Sequence, residues 1–510
     1  MYTLGTLMIK GQTYPDKHPA ALIVLFLTEM WERFSFYGMR SLLVLYIVTQ
    51  LNWGNGEAYM ILGAYATLLY LGGIWGGALA DRLLGFRQAI IIGGITITCG
   101  HFVLAIPGVM PLYLGLGLVL TGTGLFKANI TSFLGDFYLP GDPRRDSAYT
   151  IFYMGINVGS LFAFIACGYV ATRYGWHSAF SLAGFGMLFG LLIFIFGGKY
   201  LEDKGRPPCE DTIKKTHLGI SYRVWVALGV LAIAALSSFL IHSNEILSYA
   251  LPVIGVAVLG YWTYLALTHT KEVRQNIFSL MVLMFFMLCF LACWEQQATS
   301  LTILSEYHVD RAPSYLAGFL NWVGLEAVPT PWFAMCNAIA VILFGGVLAG
   351  AWSWLARHNK EPYDPMKFVI AFLFLSAAYV LLACKTAVVP EGGKLELFWI
   401  PLFYAIYTLG ELCMMPVGFA LVTKLAPKEQ RGFFMGAWFM GLAFAQYLAA
   451  LIAKMTATDD LVGEAAPLSV YADFFTEIAW VTFAAAALLF VLTFFMRPVF
   501  HRAEEEKAAA

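Results

Sequence analysis

The sequence predicts an all-α polytopic membrane protein of fourteen transmembrane helices, arranged as two six-helix bundles with a helix pair inserted between them. Three observations predict this class. The 510 residues are 60% hydrophobic and 12% charged, where a soluble domain carries roughly 25% charge. Apolar runs of about 20 residues, each enough to cross a bilayer, recur along the chain. Lys and Arg concentrate in alternate breaks between these runs, as they do in chains that cross a membrane repeatedly.

The spans are placed at 20–50, 56–80, 87–107, 111–137, 146–170, 177–198, 222–242, 247–268, 277–306, 331–356, 366–387, 396–425, 430–454 and 471–496. The breaks holding Arg82/Arg87, Arg144/Arg145, Lys199–Arg223, Lys271/Arg274, Arg357/Lys360/Lys367 and Lys424/Lys428/Arg431 are basic and are assigned to the cytoplasm. Those at 50–56, 108–110, 243–246 and 307–330 hold almost no Lys or Arg, with Arg311 the exception. An even count puts both termini in the cytoplasm, in agreement with Lys10, Lys17, Arg497, Arg502 and Lys507. The most polar loop, Lys199 to Tyr222, closes the first six spans. The expected division is therefore 1–200 for the first bundle, 201–276 for a linker and the inserted pair, and 277–510 for the second bundle and a short tail.

Composition excludes several classes. A net charge of −1 gives no bulk attraction to nucleic acid. Of the eight cysteines, Cys99, Cys167, Cys289, Cys293, Cys336, Cys384 and Cys413 lie inside apolar segments. None has the paired spacing of a disulfide framework or zinc site, so they read as small hydrophobes. Met1 to Pro19 has no cleavable pattern, and the first apolar run reads as a retained helix. Thr121 to Lys127 lacks the spacing and strand context of a phosphate loop. With no metal-ligand cluster and no nucleophile–base signature, neither an enzyme nor a metal site is expected.

The first span is the informative one. It reads Glu29-Met-Trp-Glu32-Arg33-Phe34-Ser-Phe36-Tyr37-Gly-Met-Arg40. Each charge at a helix centre costs about 2.5–3.5 kcal/mol on the insertion scale. At about 100° per residue, positions 29, 32, 33, 36, 37 and 40 share one arc. Such a face can be hidden only against other helices or a watery cavity.

Two sets of motifs name a family. Gly72-Gly-Ile-Trp-Gly76-Gly77-Ala-Leu-Ala-Asp81-Arg82-Leu-Leu-Gly85-Phe-Arg87 joins the second and third spans. It resembles the loop signature of the major facilitator superfamily, in which Asp81, Arg82 and Arg87 would serve a hinge or latch and not touch substrate. Glu29-x-x-Glu32-Arg33-Phe34 with Tyr37 resembles the first-helix signature of the proton-dependent oligopeptide transporters. Phe152-Tyr153-Met-Gly-Ile-Asn157-Val-Gly159-Ser160-Leu161, Leu125-Phe-Lys127-Ala-Asn129 and Gly410-Glu411-Leu-Cys-Met-Met-Pro416-Val-Gly418 resemble that family's segments in helices 5, 4 and 10. They occur in the family's order and cover nearly the whole chain. The resemblance implies the major facilitator fold, two similar halves related by an axis along the membrane normal.

The residue chemistry agrees with that resemblance. A short peptide is a zwitterion whose ends lie apart by about 3.5 Å per residue. A pocket tolerant of sequence needs a basic end and an acidic end. By resemblance, the peptide carboxylate goes to Arg33 and Lys127 with Arg40 nearby, and the amine to Glu411 and Asn157. Tyr37, Tyr70, Tyr153 and Trp438 are candidate aromatic walls, with Tyr37 and Trp438 the best family matches. Glu29, Glu32, Arg33 and Lys127 form the expected proton-coupling group. Like-charge neighbours and poor solvation oppose ionisation of the glutamates, and adjacent cations favour it. Other readings of these residues stand beside this one. Glu29 and Glu32 also read as ion-pair scaffolding, Asn157 as helix–helix glue, and His101 as a satisfied buried side chain in preference to a proton relay.

Trp294-Glu295-Gln296-Gln297 resembles the family's acidic-Gln-Gln segment, which implies a gate pairing of Glu295 with Arg40; Glu306 is a rival partner. Two positions depart from the pattern. Thr330-Pro331 stands where family members commonly carry Asn-Pro, and Leu442 follows Trp438 by four residues where some carry a small polar residue. These put the amine-side contacts and the peptide-length preference in question. The expected function is import of di- and tripeptides with protons by alternating access, driven by the proton gradient, with no cofactor and no obligate protein partner. The short 387–396 break favours a bacterial-type member in the inner membrane. Transport of nitrate or another small anion or conjugate is the alternative on the same fold, and a peptide-sensing receptor is the alternative from another class.

Overall fold

The computed structural model describes residues 6–9, 12–15, 17–139, 142–208, 216–217, 220–427, 430–457 and 465–509. Lys10, Cys209 and Lys428 lie outside the described residues, as do the side chains of Arg431, Arg502 and Lys507. The helices are α1 (Ala21–Leu45), α2 (Asn55–Leu79), α3 (Gly85–Leu104), α4 (Val109–Gly135), α5 (Arg144–Tyr174), α6 (Trp176–Phe196), α7 (Tyr222–His242) and α8 (Glu245–Thr268). There follow α9 (Lys271–Trp294), α10 (Ser300–Tyr307), α11 (Ala317–Val323), α12 (Pro331–Arg357), α13 (Asp364–Ala387), α14 (Trp399–Leu425), α15 (Arg431–Ala453) and α16 (Leu468–Ala509). Three short strand pairs accompany them: β1 (Thr6–Ile9) with β2 (Gln12–Pro15), β3 (Thr216–His217) with β4 (Ile220–Ser221), and β5 (Val309–Asp310) with β6 (Leu395–Glu396).

Among the described residues, 12 helical runs are long and apolar enough to cross a membrane. One run, Asn55–Leu104, is α2 and α3 joined through a π-turn. The helix α1 falls outside the 12 because of Glu29, Glu32, Arg33 and Arg40. Counting the joined run as its two helices and adding α1 reaches the fourteen spans expected from sequence. The ninth span differs from expectation. It was expected as one helix over 277–306, but it breaks after Trp294 into a 3-10 turn, Glu295–Ala298, and resumes at Ser300. The 307–330 break also contains an unexpected short helix, α11.

The chain forms two compact units, Met1–Arg40 with Leu71–Ile241, and Ser41–Tyr70 with His242–Ala510. In this division α7 belongs to the first unit and α8 to the second, and both α1 and α2 change unit along their length.

In the first unit, glycines bring helix backbones together. A Cβ on Gly76 would strike the Gly124 carbonyl, so α2 and α4 touch without side chains between them. Asn129 pins that contact by donating to the Gly76 carbonyl at 3.2 Å. A Cβ on Gly159 would strike the Met30 carbonyl, which brings α5 against the charged face of α1. Such approach is the membrane route to helix packing, because lipid offers no hydrophobic drive between apolar helices. Outside the spans, Arg144 reaches both oxygens of Asp142. Its hydrogen bonds hold the Asp142 carboxyl below the usual carboxylate range.

In the second unit, α13 packs against α14 and α16, and α9 against α15. Leu247 and Leu251 of α8 join Met60, Ala64, Tyr447 and Ala450 in one apolar cluster. The first half of α2 is tied to α15 by Thr67, which donates to the Ala443 carbonyl at 3.1 Å.

Replacing Gly124 by Leu should force α2 and α4 apart. Overpacking of this kind costs about 1–3 kcal/mol. A lower thermal midpoint of the detergent-solubilised protein is expected, with Gly229→Leu, where no atom lies within 4 Å of the added Cβ, left near the parent value.

Candidate functional site

The helical period of α1 delivers the face that the sequence predicts. Glu29, Glu32 and Arg33 are essentially inaccessible, at 1%, 0% and 1% exposure. The Arg33 guanidinium holds Glu32 with two nitrogens: Nη2 donates to Oε1 at 2.6 Å and Nε donates to Oε2. Arg33 Nε also lies 3.4 Å from Glu29 Oε1. The second Glu29 oxygen is buried without a hydrogen-bond partner among the described residues. One guanidinium thus serves two carboxylates and serves them unequally. Its cation also sits 4.8 Å from the Phe36 ring centroid and 6.0 Å from that of Tyr37.

Lys127 sits well inside the long helix α4, yet its surface is exposed. It is close enough to Arg33, Glu29, Glu32 and Arg40 for their charges to act on it. A lysine in the middle of an apolar span with accessible surface is lining open space. Tyr37 and Arg40 are half-buried on the same face of α1. Tyr153 is 50% exposed on α5, and Asn157 turns its amide back to the Tyr153 carbonyl at 3.1 Å. The first unit therefore gathers Glu29, Glu32, Arg33 and Lys127 as expected.

In the second unit, Glu411 of α14 is half-buried and held by Asn337 of α12, whose Nδ2 donates to Oε2 at 2.8 Å and to Thr408 Oγ1 at 2.9 Å. Asn337 is absent from the sequence-based expectation, which places the family's amine-side asparagine at position 330, at the helix start, whereas Asn337 lies farther inside the same helix. The signal available was a lone amide in an otherwise apolar run. Thr330 instead donates to Glu306, and Glu306 is also paired with Arg311 at 2.6 Å. The rival gate carboxylate is thus held by two groups of its own unit.

Glu295 is 4% exposed and accepts from Gln446 Nε2 at 2.6 Å. Its neighbour Gln296 is fully buried and donates to the Ala449 carbonyl of α15 at 2.9 Å. Both amides span the helix break. Trp294 stacks on Tyr407 at 5.6 Å, and Tyr407 donates to the Trp294 carbonyl. Trp438 is 1% exposed and packs into an apolar crevice with Met287, Met414, Met415, Gly418 and Leu442. In this structure it plugs that crevice and presents almost no free surface. Tyr70 is half-buried.

Two further expectations meet their structure here. His101 is fully buried, but it is not satisfied: neither ring nitrogen has a hydrogen-bond partner among the described residues. Its position in an apolar run gives no warning of this. In the loop signature, Asp81 and Arg82 are exposed. Arg87 clamps the segment after α6: its backbone N–H donates to Gly205 at 3.0 Å, Nε to Lys204 at 2.8 Å, and Nη2 to Glu202, all at carbonyls.

Comparison with known proteins identifies the family. The POT family model matches residues 87–469. Dipeptide and tripeptide permease A of Yersinia pestis is 31% identical over 481 residues, which cover 94% of this chain and 92% of that protein. Peptide transporter YePEPT of Yersinia enterocolitica is 35% identical over 467 residues, covering 87% and 89%. A solved peptide transporter POT in complex with sulfate superposes with a TM-score of 0.80 at 31% identity, over 95% of this chain and 96% of that one. Another, a mutant of peptide transporter POT in complex with alafosfalin, superposes equally well at 29% identity over 97% of both chains. The chain belongs to the POT family.

Proposed function

We propose that this protein is a proton-coupled symporter that imports di- and tripeptides by alternating access across a bacterial inner membrane, with both termini in the cytoplasm. The observation that carries the reading is the buried Glu29–Glu32–Arg33 cluster beside an accessible Lys127. Two acids share one guanidinium, and one carboxylate oxygen of Glu29 lacks a partner among the described residues. That oxygen is where a proton would neutralise charge that no donor stabilises. A substrate carboxylate that engages Lys127 or Arg33 draws positive charge away from the glutamates and favours their protonated form. Proton and peptide then bind cooperatively, and linkage makes the effect reciprocal.

The relatives named as peptide permeases support the substrate class. Glu411 supports the amine end. It is a carboxylate kept in place by Asn337 inside an apolar helix, useful for a peptide ammonium and harmful to a bare anion. Transport of nitrate or another small anion has no use for it. Competition of labelled dipeptide uptake by dialanine, with nitrate without effect, is the expected outcome in liposomes carrying the protein and an inward acid gradient.

Glu32→Gln keeps the shape of the cluster and removes the titrating group. It should retain peptide exchange across liposomes without a gradient and lose accumulation against one by about tenfold or more, the equivalent of ~1.4 kcal/mol. Full uphill uptake by this variant rules out Glu32 as a proton carrier.

Asn337→Ala removes the donor that holds Glu411. A hydrogen bond to a charged group contributes about 1.5–3 kcal/mol, so the KM for dialanine should rise by about tenfold or more. A peptide analogue lacking the amine should lose far less, since its binding does not use Glu411. Equal losses for both would show that Asn337 only supports the helix.

A further inference from the structure

The segment between α10 and α12 has a composition that a loop in water does not need. Residues 312–323 read Ala-Pro-Ser-Tyr-Leu-Ala-Gly-Phe-Leu-Asn-Trp-Val, with no Asp, Glu, Lys or Arg. They lie outside the membrane-spanning runs Lys271–Tyr307 and Pro331–Arg357. The helix α11 covers Ala317–Val323 and stops at Gly324, which has φ +71°. Its inward residue is Leu320, 3% exposed. Its outward aromatic residues are Phe319, 44% exposed, and Trp322, 82% exposed, and Tyr315 in the 3-10 turn Ser314–Leu316 that leads into it is 69% exposed. Phe319 and Trp322, three residues apart, make an aromatic stripe on α11.

This stripe does not stand alone. The Phe319 ring lies 6.3 Å from Trp322 and 6.3 Å from Trp332, in the first turn of the spanning helix α12. Below Trp332, α12 continues with exposed Ile339, Ile342, Leu343 and Val347, an apolar face suited to acyl chains inside a membrane. The aromatic stripe is therefore continuous with a lipid-facing surface. The loop that carries it is held firmly. Arg311 exchanges two hydrogen bonds with Val328, and β5 pairs in parallel with β6. That pairing sets the loop at the same membrane face as exposed Phe398 beside the start of α14.

We propose that residues 314–323 form an interfacial anchor that binds the headgroup–acyl boundary of the leaflet at this face. Tyr and Trp suit that depth because an apolar ring carries a polar edge. The absence of charge lets the segment lie in the boundary with no salt-bridge partner to desolvate. Fixing the loop to lipid would hold the Glu306–Arg311–Thr330 cluster, at its two roots, at a constant depth.

The test is a nitroxide on Gly318→Cys, where an added Cβ meets nothing within 4 Å. The background carries Ser at the exposed Cys99 and Cys384 and at Cys209 in the polar loop, and the protein is reconstituted in phosphatidylcholine vesicles. Collisions with oxygen should exceed those with a water-soluble nickel chelate severalfold, and a label on Glu391→Cys, at an exposed position, should show the reverse. Adding Tyr315→Ser and Trp322→Ser should bring the Gly318 label to the water-like pattern while dipeptide uptake shows that the protein is folded. Asn321→Cys provides a second label position should Gly318→Cys not fold. Chelate collisions dominating in the aromatic parent would overturn the proposal. So would protection from both reagents, which would mean that protein, such as a second copy, covers the stripe.

Discussion

One guanidinium shared between two buried carboxylates is the constraint on which the first unit depends. Isolated in an apolar span, Glu29, Glu32 and Arg33 would each be strongly unfavourable. Together they leave one net negative charge, and Arg33 donates hydrogen bonds from two of its nitrogens to Glu32. Glu29 is left with a longer contact and an orphan oxygen. This inequality matters more than the pairing itself. A cluster with every lone pair satisfied would be a static scaffold, the bland reading of these glutamates. A cluster with one unsatisfied acceptor is sensitive to any proton or cation that arrives, and in the function proposed above accessible Lys127 is the group through which arrival would be felt.

Close backbone contact sets up that sensitivity. Gly159 lets α5 rest on the Met30 carbonyl, one helical turn from Arg33, and so keeps water from the cluster on that side. Gly76 and Gly124 bring α2 and α4 together and fix the helix that carries Lys127. The charged face needs a dry side and a wet side. Small residues supply the dry side, because any larger side chain would open a gap that water could enter.

The spans and the charged face of α1 were legible in the sequence because both are periodic. Twenty apolar residues make a span whatever their order, and an arc of charged positions survives any small error in helix boundaries. The features that escaped are single residues whose meaning lies in a partner. Asn337 matters because Glu411 is opposite it, and nothing in the local sequence of α12 says so. Arg87 was readable as part of a loop signature. Its acceptors are three backbone carbonyls of the segment after α6, and carbonyls leave no mark on composition. His101 shows the limit from the other direction: a polar residue in an apolar run was expected to have a partner, and it has none among the described residues. Trp438 was read as a pocket wall from its motif, yet its exposure depends on how α14 and α15 pack at Gly418, a three-dimensional fact.

The break after Trp294 shows how such partners change a helix. Read as sequence, 277–306 is one apolar span with a polar flaw at Glu295-Gln296-Gln297. In the fold the flaw is where the helix opens into a 3-10 turn, and the amides that flank it are used in opposite directions. Gln296 reaches out to a carbonyl of α15, while Gln446 of α15 reaches back to Glu295. A backbone group freed by a helix break must find a partner inside a membrane, and a buried carboxylate must find a donor. Gln296 meets the first demand by donating to the Ala292 carbonyl of its own helix at 2.9 Å as well as to Ala449, and Gln446 meets the second from α15. This arrangement argues that the break and the buried acid are one feature: Glu295 is held where the helix no longer continues past it, on a side chain whose donor comes from another helix. Its position is therefore tied to the packing of α9 against α15, so a change in that packing acts on the carboxylate directly.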